Sequence, residues 1–469
     1  MRPRRDRRFY WQTRAMPFVA INPATEQVIS EIANHTPKEI DQVLDIASVA
    51  FASWKTLSFA ERGRCMKSAA DLLDSEIPVV AELMTSEMGK TFAAAKGEAM
   101  KCVMTMRYFA EHTESMLREE SLATIGSRSG VRFDPIGVIF SVMPWNFPLW
   151  QVVRQAVPTI MAGNVVVFKH ASNLPGCASY LEDLFIRAGF MPGVLSTTFV
   201  GHGAVADIIG DSRVVAVSLT GSDRAGRSVG ELAGKHLKKC VLELGGSDPF
   251  IVASSADMER TVPMAVTARI QNNGQACIAS KRFIVVRDRA DEFLELYAAA
   301  MGAVRMGDPM DPATELGPLV SKGQRDELAA QVSSSLDKGA TALAGGFVPD
   351  QTGWYYPATV LTNVPRDSRA GCEELFGPVA VVLVADDLAD AIRVANDTPW
   401  GLGGAVWATD ANEIDEAIAG LDVGTVFANA IVASMNELPF GGTKQSGFGR
   451  ELSAFGAREF TNQKSFFVA

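Results

Sequence analysis

The sequence predicts an α/β protein built on two parallel sheets. Three observations carry that prediction. From Gly137 short apolar runs alternate with longer amphipathic stretches, as in a parallel sheet covered by helices on both faces. A second alternating series follows Gly245. The chain has 469 residues, more than one hydrophobic core normally serves, so two or three domains are expected.

The elements follow in order. Residues 1–15 crowd Arg2, Arg4, Arg5, Arg7, Arg8 and Arg14 around one acid, Asp6. A transit peptide is one reading, but the segment is short and lacks serine. It reads instead as a disordered basic extension, with Met16 as a natural start. Thr36 can cap a helix, Pro37 suits its first position and Glu39 completes a capping box. Ile40, Val43, Leu44, Ala47, Phe51 and Trp54 recur at helical spacing, and helix continues to about His112. An extended hairpin is expected over 121–133, turning near Gly126 and Ser127. Buried strands are expected at 137–142, 165–169, 195–200, 214–219 and 241–244. The second series places strands at 282–286, 379–384, 405–407 and 425–428, with helices at 291–304 and 388–396. The tail 460–469 ends in apolar Phe466, Phe467 and Val468, which need a partner surface.

Composition narrows the function. A net charge of −10 argues against nucleic-acid affinity and gives no reason to expect a membrane surface. No apolar run approaches the ~20 residues of a spanning helix. The six cysteines form no CxxC pair, and the five histidines share no metal-ligand spacing with Cys, Asp or Glu. A metal-free, reduced, cytoplasmic protein is expected.

The chemistry-bearing residues stand in short runs. Cys277 lies in Gln271-Asn272-Asn273-Gly274-Gln275-Ala276-Cys277-Ile278, and Glu243 in Leu242-Glu243-Leu244-Gly245-Gly246, 34 residues upstream. A cysteine is the best protein nucleophile for a carbonyl at neutral pH, and a glutamate can take its proton and later activate water. The bland reading of a lone cysteine is core packing, yet polar neighbours make poor core. Glu243 ends a predicted strand, where open α/β sheets place function. Pro144-Trp145-Asn146-Phe147-Pro148 follows a predicted strand. The Asn146 amide and the Cys277 backbone N–H can act as oxyanion donors, or the segment is only a turn with a packed tryptophan. Two turns suit a dinucleotide: Gly201-His202-Gly203-Ala204-Val205-Ala206, and Thr220-Gly221-Ser222-Asp223-Arg224-Ala225-Gly226.

These runs resemble the aldehyde dehydrogenase superfamily. The Pro144–148 run, Lys169, Gly221-Ser222, Glu243-Leu244-Gly245-Gly246, the run into Cys277 and Glu374-Leu375-Phe376-Gly377-Pro378 occur in that family's order. Phe440-Gly441-Gly442 and Lys444-Gln445-Ser446-Gly447 match as well, and the similarity runs from about Asn22 to the C-terminus. The resemblance implies a Rossmann-type dinucleotide-binding domain (16–116 and 136–245), an α/β catalytic domain (246–445) and a small β oligomerisation arm (117–135 and 446–469). It implies a homodimer or homotetramer. It also implies that Cys277 attacks an aldehyde, Asn146 holds the oxyanion and Glu243 activates water on the thioester. Lys169 would meet the adenosine ribose region and Glu374 the nicotinamide ribose. Trp145, Gly221, Ser222, Leu244 and Phe376 would line the cofactor path. With Glu243 present, water and not coenzyme A is the expected acceptor.

Closer resemblance is to bacterial short-form succinate-semialdehyde dehydrogenases. There Arg154 and Ser434 match residues that bind the substrate carboxylate, and Phe440 completes the pocket. The bland reading of Arg154 is a surface salt bridge. Related enzymes often carry a second arginine six residues before the nucleophile, where this chain has Gln271; Arg269 or Arg282 would have to compensate. Ile278-Ala279 rules out the redox-switch cysteine of some relatives. Ser172 stands where NAD-using relatives carry a glutamate that repels a 2′-phosphate, so NADP is expected to be preferred over NAD. His170 either adds positive charge there or packs in the turn. The resemblance therefore implies NAD(P)-dependent oxidation of succinic semialdehyde. Glutaric semialdehyde or an aliphatic aldehyde is the rival substrate. A non-catalytic binding protein and a cofactor-free cysteine hydrolase are the rivals of other classes.

Overall fold

The computed structural model describes residues 17–469. The expectation for 1–15 lies outside the described residues. The chain begins with β1 (Phe18–Ile21) and β2 (Val28–Ile32), then three helices, α1 (Pro37–Trp54), α2 (Phe59–Met88) and α3 (Phe92–Met116). The capping box of α1 forms as expected: the Thr36 side chain accepts the Glu39 N–H, and the Glu39 carboxylate accepts the Thr36 N–H.

β3 (Glu120–Ser121) and β4 (Arg128–Pro135) lead into an alternating series: β5 (Val138–Val142), α4 (Trp150–Met161), β6 (Val165–Lys169) and α5 (Pro175–Arg187). It continues through β7 (Leu195–Thr197), α6 (His202–Gly210), β8 (Val214–Thr220), α7 (Asp223–Lys235) and β9 (Lys239–Glu243). The second series opens with β10 (Pro249–Val252), α8 (Met258–Ile270), β11 (Arg282–Val286), α9 (Ala290–Gly302) and α10 (Lys322–Asp337). β12 (Thr341–Ala344), β13 (Thr359–Thr362), α11 (Arg369–Cys372), β14 (Val379–Ala385) and α12 (Leu388–Asn396) follow. β15 (Trp400–Gly401), β16 (Gly403–Trp407), α13 (Ala411–Gly420) and β17 (Thr425–Ala428) complete it. The chain closes with β18 (Thr443–Lys444), β19 (Gly447–Phe448), α14 (Ser453–Glu459) and β20 (Thr461–Val468).

Two large sheets result. One has the order β19-β9-β8-β5-β6-β7, parallel except for β19. The other runs β12-β13-β14-β11-β10-β16-β17, parallel except for β12. Every residue of β6, β11 and β16 is buried, which is why these strands read as near-continuous apolar runs, with charge only at the terminal Lys169 and Arg282. One core packs α1–α3 against the first sheet, and separate clusters fill the faces of the second.

The three-stranded sheet, β20-β4-β3, is narrower than the arm expected over 117–135 and 446–469. Of the later segment only β20 enters it, pairing with β4 from Thr461↔Pro135 to Val468↔Arg128. Residues 447–448 instead pair with Leu242 and Glu243 on the six-stranded sheet, and α14 packs on α3 and α4. β19 thereby covers the edge of β9, which would otherwise lie open. Among the described residues no helix is long and apolar enough to cross a membrane.

Candidate active site

The nucleophile loop begins where α8 ends. Asn272 (φ 54°), Asn273 (φ 57°) and Gly274 (φ 73°) turn the chain through the left-handed region, which Asn and Gly tolerate best. A Cβ on Gly274 would fall 2.3 Å from the Gly377 carbonyl carbon, so only glycine fits. The polar neighbours of Cys277 bracket this turn. Asn273 Nδ2 donates to the carbonyls of Gly89 and Pro318, both at 2.9 Å, and its Oδ1 accepts the Gly317 N–H. Asn272 Nδ2 donates to Asn146 O at 2.7 Å and Gln275 O at 3.1 Å. Lys281, which the motifs did not point to, donates to the carbonyls of Ala276 (3.0 Å) and Cys277 (2.7 Å).

Cys277 lies where two cavities meet. Burial pushes its thiol up to about 11, although Arg154 and Lys281 pull the other way, so it is protonated at neutral pH. It needs a base. Glu243, at the C-terminal end of β9, is buried, and neither of its carboxylate oxygens has a hydrogen-bond donor among the described residues. Burial and the neighbouring Glu451 raise its carboxyl well above the usual range, against the pull of Arg154. A Cβ on Gly441 would stand 2.8 Å from Glu243 Oε1, so glycine there leaves room for the carboxylate. Asn146, between β5 and α4, spends one amide hydrogen on Gln275 O at 3.0 Å, and its Oδ1 accepts from Gln151 at 3.3 Å. A side-chain amide has two N–H donors, so one remains for an oxyanion.

The first cavity, about 220 Å³, is lined by Trp145, Asn146, Gly221, Ser222, Leu244, Glu374, Phe376 and Cys277. These residues fit a nicotinamide dinucleotide. Trp145, Leu244 and Phe376 offer an apolar wall. Gly221 lines the cavity just before α7, whose N-terminus Ser222 caps. Glu374 is held by the Gly246 N–H at 3.1 Å and by Lys281 at 3.3 Å. Of the two glycine turns, Gly221–Ser222 lines this cavity and Gly201–Gly203 does not; the latter follows β7 and opens α6, which packs on β8 and α7.

Lys169 and Ser172 sit apart, one strand beyond β5. The Lys169 ammonium is buried, donates to His170 O at 3.2 Å, and is lowered by burial to about 8. Ser172 is exposed and its carbonyl accepts the Val19 N–H. His170 packs rather than charging: Nδ1 accepts the Ala171 N–H, leaving Nε2 to donate to Pro148 O at 2.7 Å. Burial lowers it to about 4.

The second cavity, about 310 Å³, is lined by Arg154, Gln271, Ser434, Phe440 and Cys277, all expected, and by Lys101, Gln151 and Ile278. Arg154 is not a surface residue. It is buried, ion-paired to Glu451 and stacked on Phe440 at 4.5 Å. Neither suggested substitute for a second arginine reaches the cavity. Arg269 donates to Gly274 O, and Arg282 to the carbonyls of Ser247, Val394 and Ala395. Among the described residues no cluster of three or more metal-ligating side chains occurs.

Comparison with known proteins agrees with this geometry. The sequence model of the aldehyde dehydrogenase family matches residues 11–466. Succinate-semialdehyde dehydrogenase (NADP+) 1 of Mycobacterium tuberculosis is 49% identical, covering 97% of this chain and 100% of its own. A solved structure of succinic semialdehyde dehydrogenase from Streptococcus pyogenes with NADP+ superposes with a TM-score of 0.94 at 36% identity, covering 96% and 99% of the two chains. The structure of Gox0499, described for its cofactor and substrate selection, gives 0.95 at 39% identity over 97% and 100%.

Proposed function

This chain belongs to the aldehyde dehydrogenase family, and from that premise we propose that it oxidises succinic semialdehyde to succinate with NADP, or less readily NAD, as hydride acceptor. One observation carries the proposal. Cys277 lines both a cavity suited to a nicotinamide dinucleotide and a second cavity bearing basic side chains. The likeness to relatives named for this reaction supports it.

In this reading the ionised form of Glu243 takes the thiol proton and Cys277 attacks the aldehyde carbon, giving a thiohemiacetal whose oxyanion meets Asn146 and the Cys277 N–H. The dinucleotide, when bound, would supply the hydride acceptor. Loss of hydride from the attacked carbon leaves a thioester; Glu243, once it has released the thiol proton to solvent, deprotonates water, which adds to the thioester, and the acid leaves as the departing thiolate is reprotonated. Trp145, Gly221, Ser222, Leu244, Glu374 and Phe376 hold the cofactor, while Lys169 and the uncharged Ser172 favour a 2′-phosphate. Residues 16–116 and 136–245 serve cofactor binding, 246–445 carry the nucleophile, and the sheet β20-β4-β3 serves assembly of a dimer or tetramer in the cytoplasm.

The test is nicotinamide reduction by the purified protein with succinic semialdehyde and with hexanal, each with NADP and NAD. The expected result is a higher kcat/KM for the semialdehyde and for NADP. A preference for hexanal overturns the substrate assignment.

A further inference from the structure

A substrate with a carboxylate at its far end needs a cation in its cavity, and the arginines offered by sequence are engaged. Arg269 and Arg282 donate to backbone carbonyls and do not line that cavity, and Arg154, which does, is buried and paired with Glu451. Lys101 on α3 is different. Its ammonium is half-buried and shares the larger cavity with Cys277. Among the described residues it forms no ion pair. The nearby carboxylate, Glu98, is already committed: Oε1 accepts the N–H groups of Leu149 (2.8 Å) and Trp150 (2.9 Å), and Oε2 pairs with Lys90.

Two contacts aim the Lys101 ammonium. It lies 4.2 Å from the Trp150 ring centroid and donates to Ser434 Oγ at 2.8 Å. An ammonium has three N–H donors, so one remains free after these contacts. Because Ser434 accepts from the lysine, its own hydroxyl proton is free to point elsewhere. The pair thus presents an N–H and an O–H donor side by side in a cavity whose other walls are largely apolar. That is the donor set of a single carboxylate.

We infer that Lys101, oriented by Ser434, binds the distal carboxylate of the substrate, while Arg154, held by Glu451, shapes the cavity wall. The inference rests on the semialdehyde reading and names the residue that gives it specificity. Burial, and then the charge of Arg154, lower Lys101 to about 8, with Cys102, Glu98 and Cys277 acting in the opposite sense. Those groups come from α3, α4 and the nucleophile loop; residues 431–434 on the facing segment carry no titratable side chain. Lys101 is therefore charged at neutral pH and loses its charge as pH rises through about 8. An arginine would not.

The experiment has two arms. The first measures the ratio of kcat/KM for succinic semialdehyde to that for hexanal in wild type, Lys101→Met and Lys101→Arg. The ratio is expected to fall about 10- to 100-fold in Lys101→Met and to recover most of that loss in Lys101→Arg. The second arm measures succinate as a competitive inhibitor of hexanal oxidation between pH ~7 and ~9.5, in wild type and Lys101→Arg. The wild-type inhibition constant should climb toward about tenfold per pH unit above pH ~8, and the climb should vanish in Lys101→Arg. Titration of Glu243 affects both proteins alike, so only the difference between them reports Lys101. If Lys101→Met fails to fold, the second arm still decides. A semialdehyde-preferring enzyme whose Lys101→Met variant keeps the preference overturns the inference alone, as do parallel inhibition curves. A wild type that prefers hexanal overturns the underlying reading and the inference with it.

Discussion

The two cavities that meet at Cys277 are lined by opposite chemistry. The cofactor side has a carboxylate, Glu374, among glycine, aromatic and aliphatic residues. The substrate side has Lys101 and Arg154, with Glu98 already tied to backbone N–H groups and Lys90. A neutral rim would admit many aldehydes. A basic one selects an anionic substrate, and it does so on the side away from Glu374. The nucleophile thus sits at a boundary between an acidic and a basic surface. Its thiol is suppressed by burial and waits on Glu243 for activation.

The largest effect expected is at that boundary. In Glu243→Gln, water activation is lost and steady-state turnover should fall about 10²- to 10⁴-fold. Acylation of Cys277 in the presence of excess base should still give a burst of reduced cofactor, visible in stopped flow. Absence of any burst would mean that Glu243 is needed for the first step as much as the second.

The substrate side can be broken next. Glu451→Gln leaves Arg154 buried without its partner and should cost about 3–5 kcal/mol of stability, read by thermal or denaturant unfolding. It should also move the acid limb of the hexanal pH–rate profile to lower pH. Glu451 raises the Glu243 carboxyl and Arg154 lowers it, so removing Glu451 lets Arg154 prevail. An unmoved limb would detach Glu243 from this charge pair. The smallest change is on the cofactor side. Ser172→Glu puts a carboxylate at an exposed position and should cut kcat/KM for NADP by about tenfold while sparing NAD, an effect that salt partly screens.

The contrast also explains what could be read from the chain. The first cavity is made of short runs at strand ends: Trp145 and Asn146 after β5, Gly221 and Ser222 after β8, Leu244 and Gly245 after β9. Contiguity makes such runs legible, and strands buried on both faces betray themselves as apolar stretches. The substrate cavity has no such runs. Lys101 meets Ser434 across 333 residues and Arg154 meets Glu451 across 297, and nothing local marks either partner. On its own helix Lys101 reads as one more polar residue. Arg154 lines the cavity with Cys277, and its ion pair with Glu451 escaped the sequence for the same reason. The strand Pro249–Val252 went unseen because four residues after Asp248 show neither alternation nor length. The reach of the arm was overdrawn because pairing of Gly447–Phe448 with β9 is again a long-range event.

That last pairing has a consequence for biosynthesis. The strand carrying Glu243 gains its outer neighbour from residues 447–448, and Phe440, Gly441 and Glu451 close in around the same carboxylate and arginine. Roughly 200 residues separate the two segments. On a ribosome adding about 5–20 residues per second, Glu243 emerges some 10–40 seconds before the pieces that enclose it. The nascent chain thus carries Glu243 before the residues that enclose it, and the pocket around that carboxylate is complete only when synthesis is nearly finished.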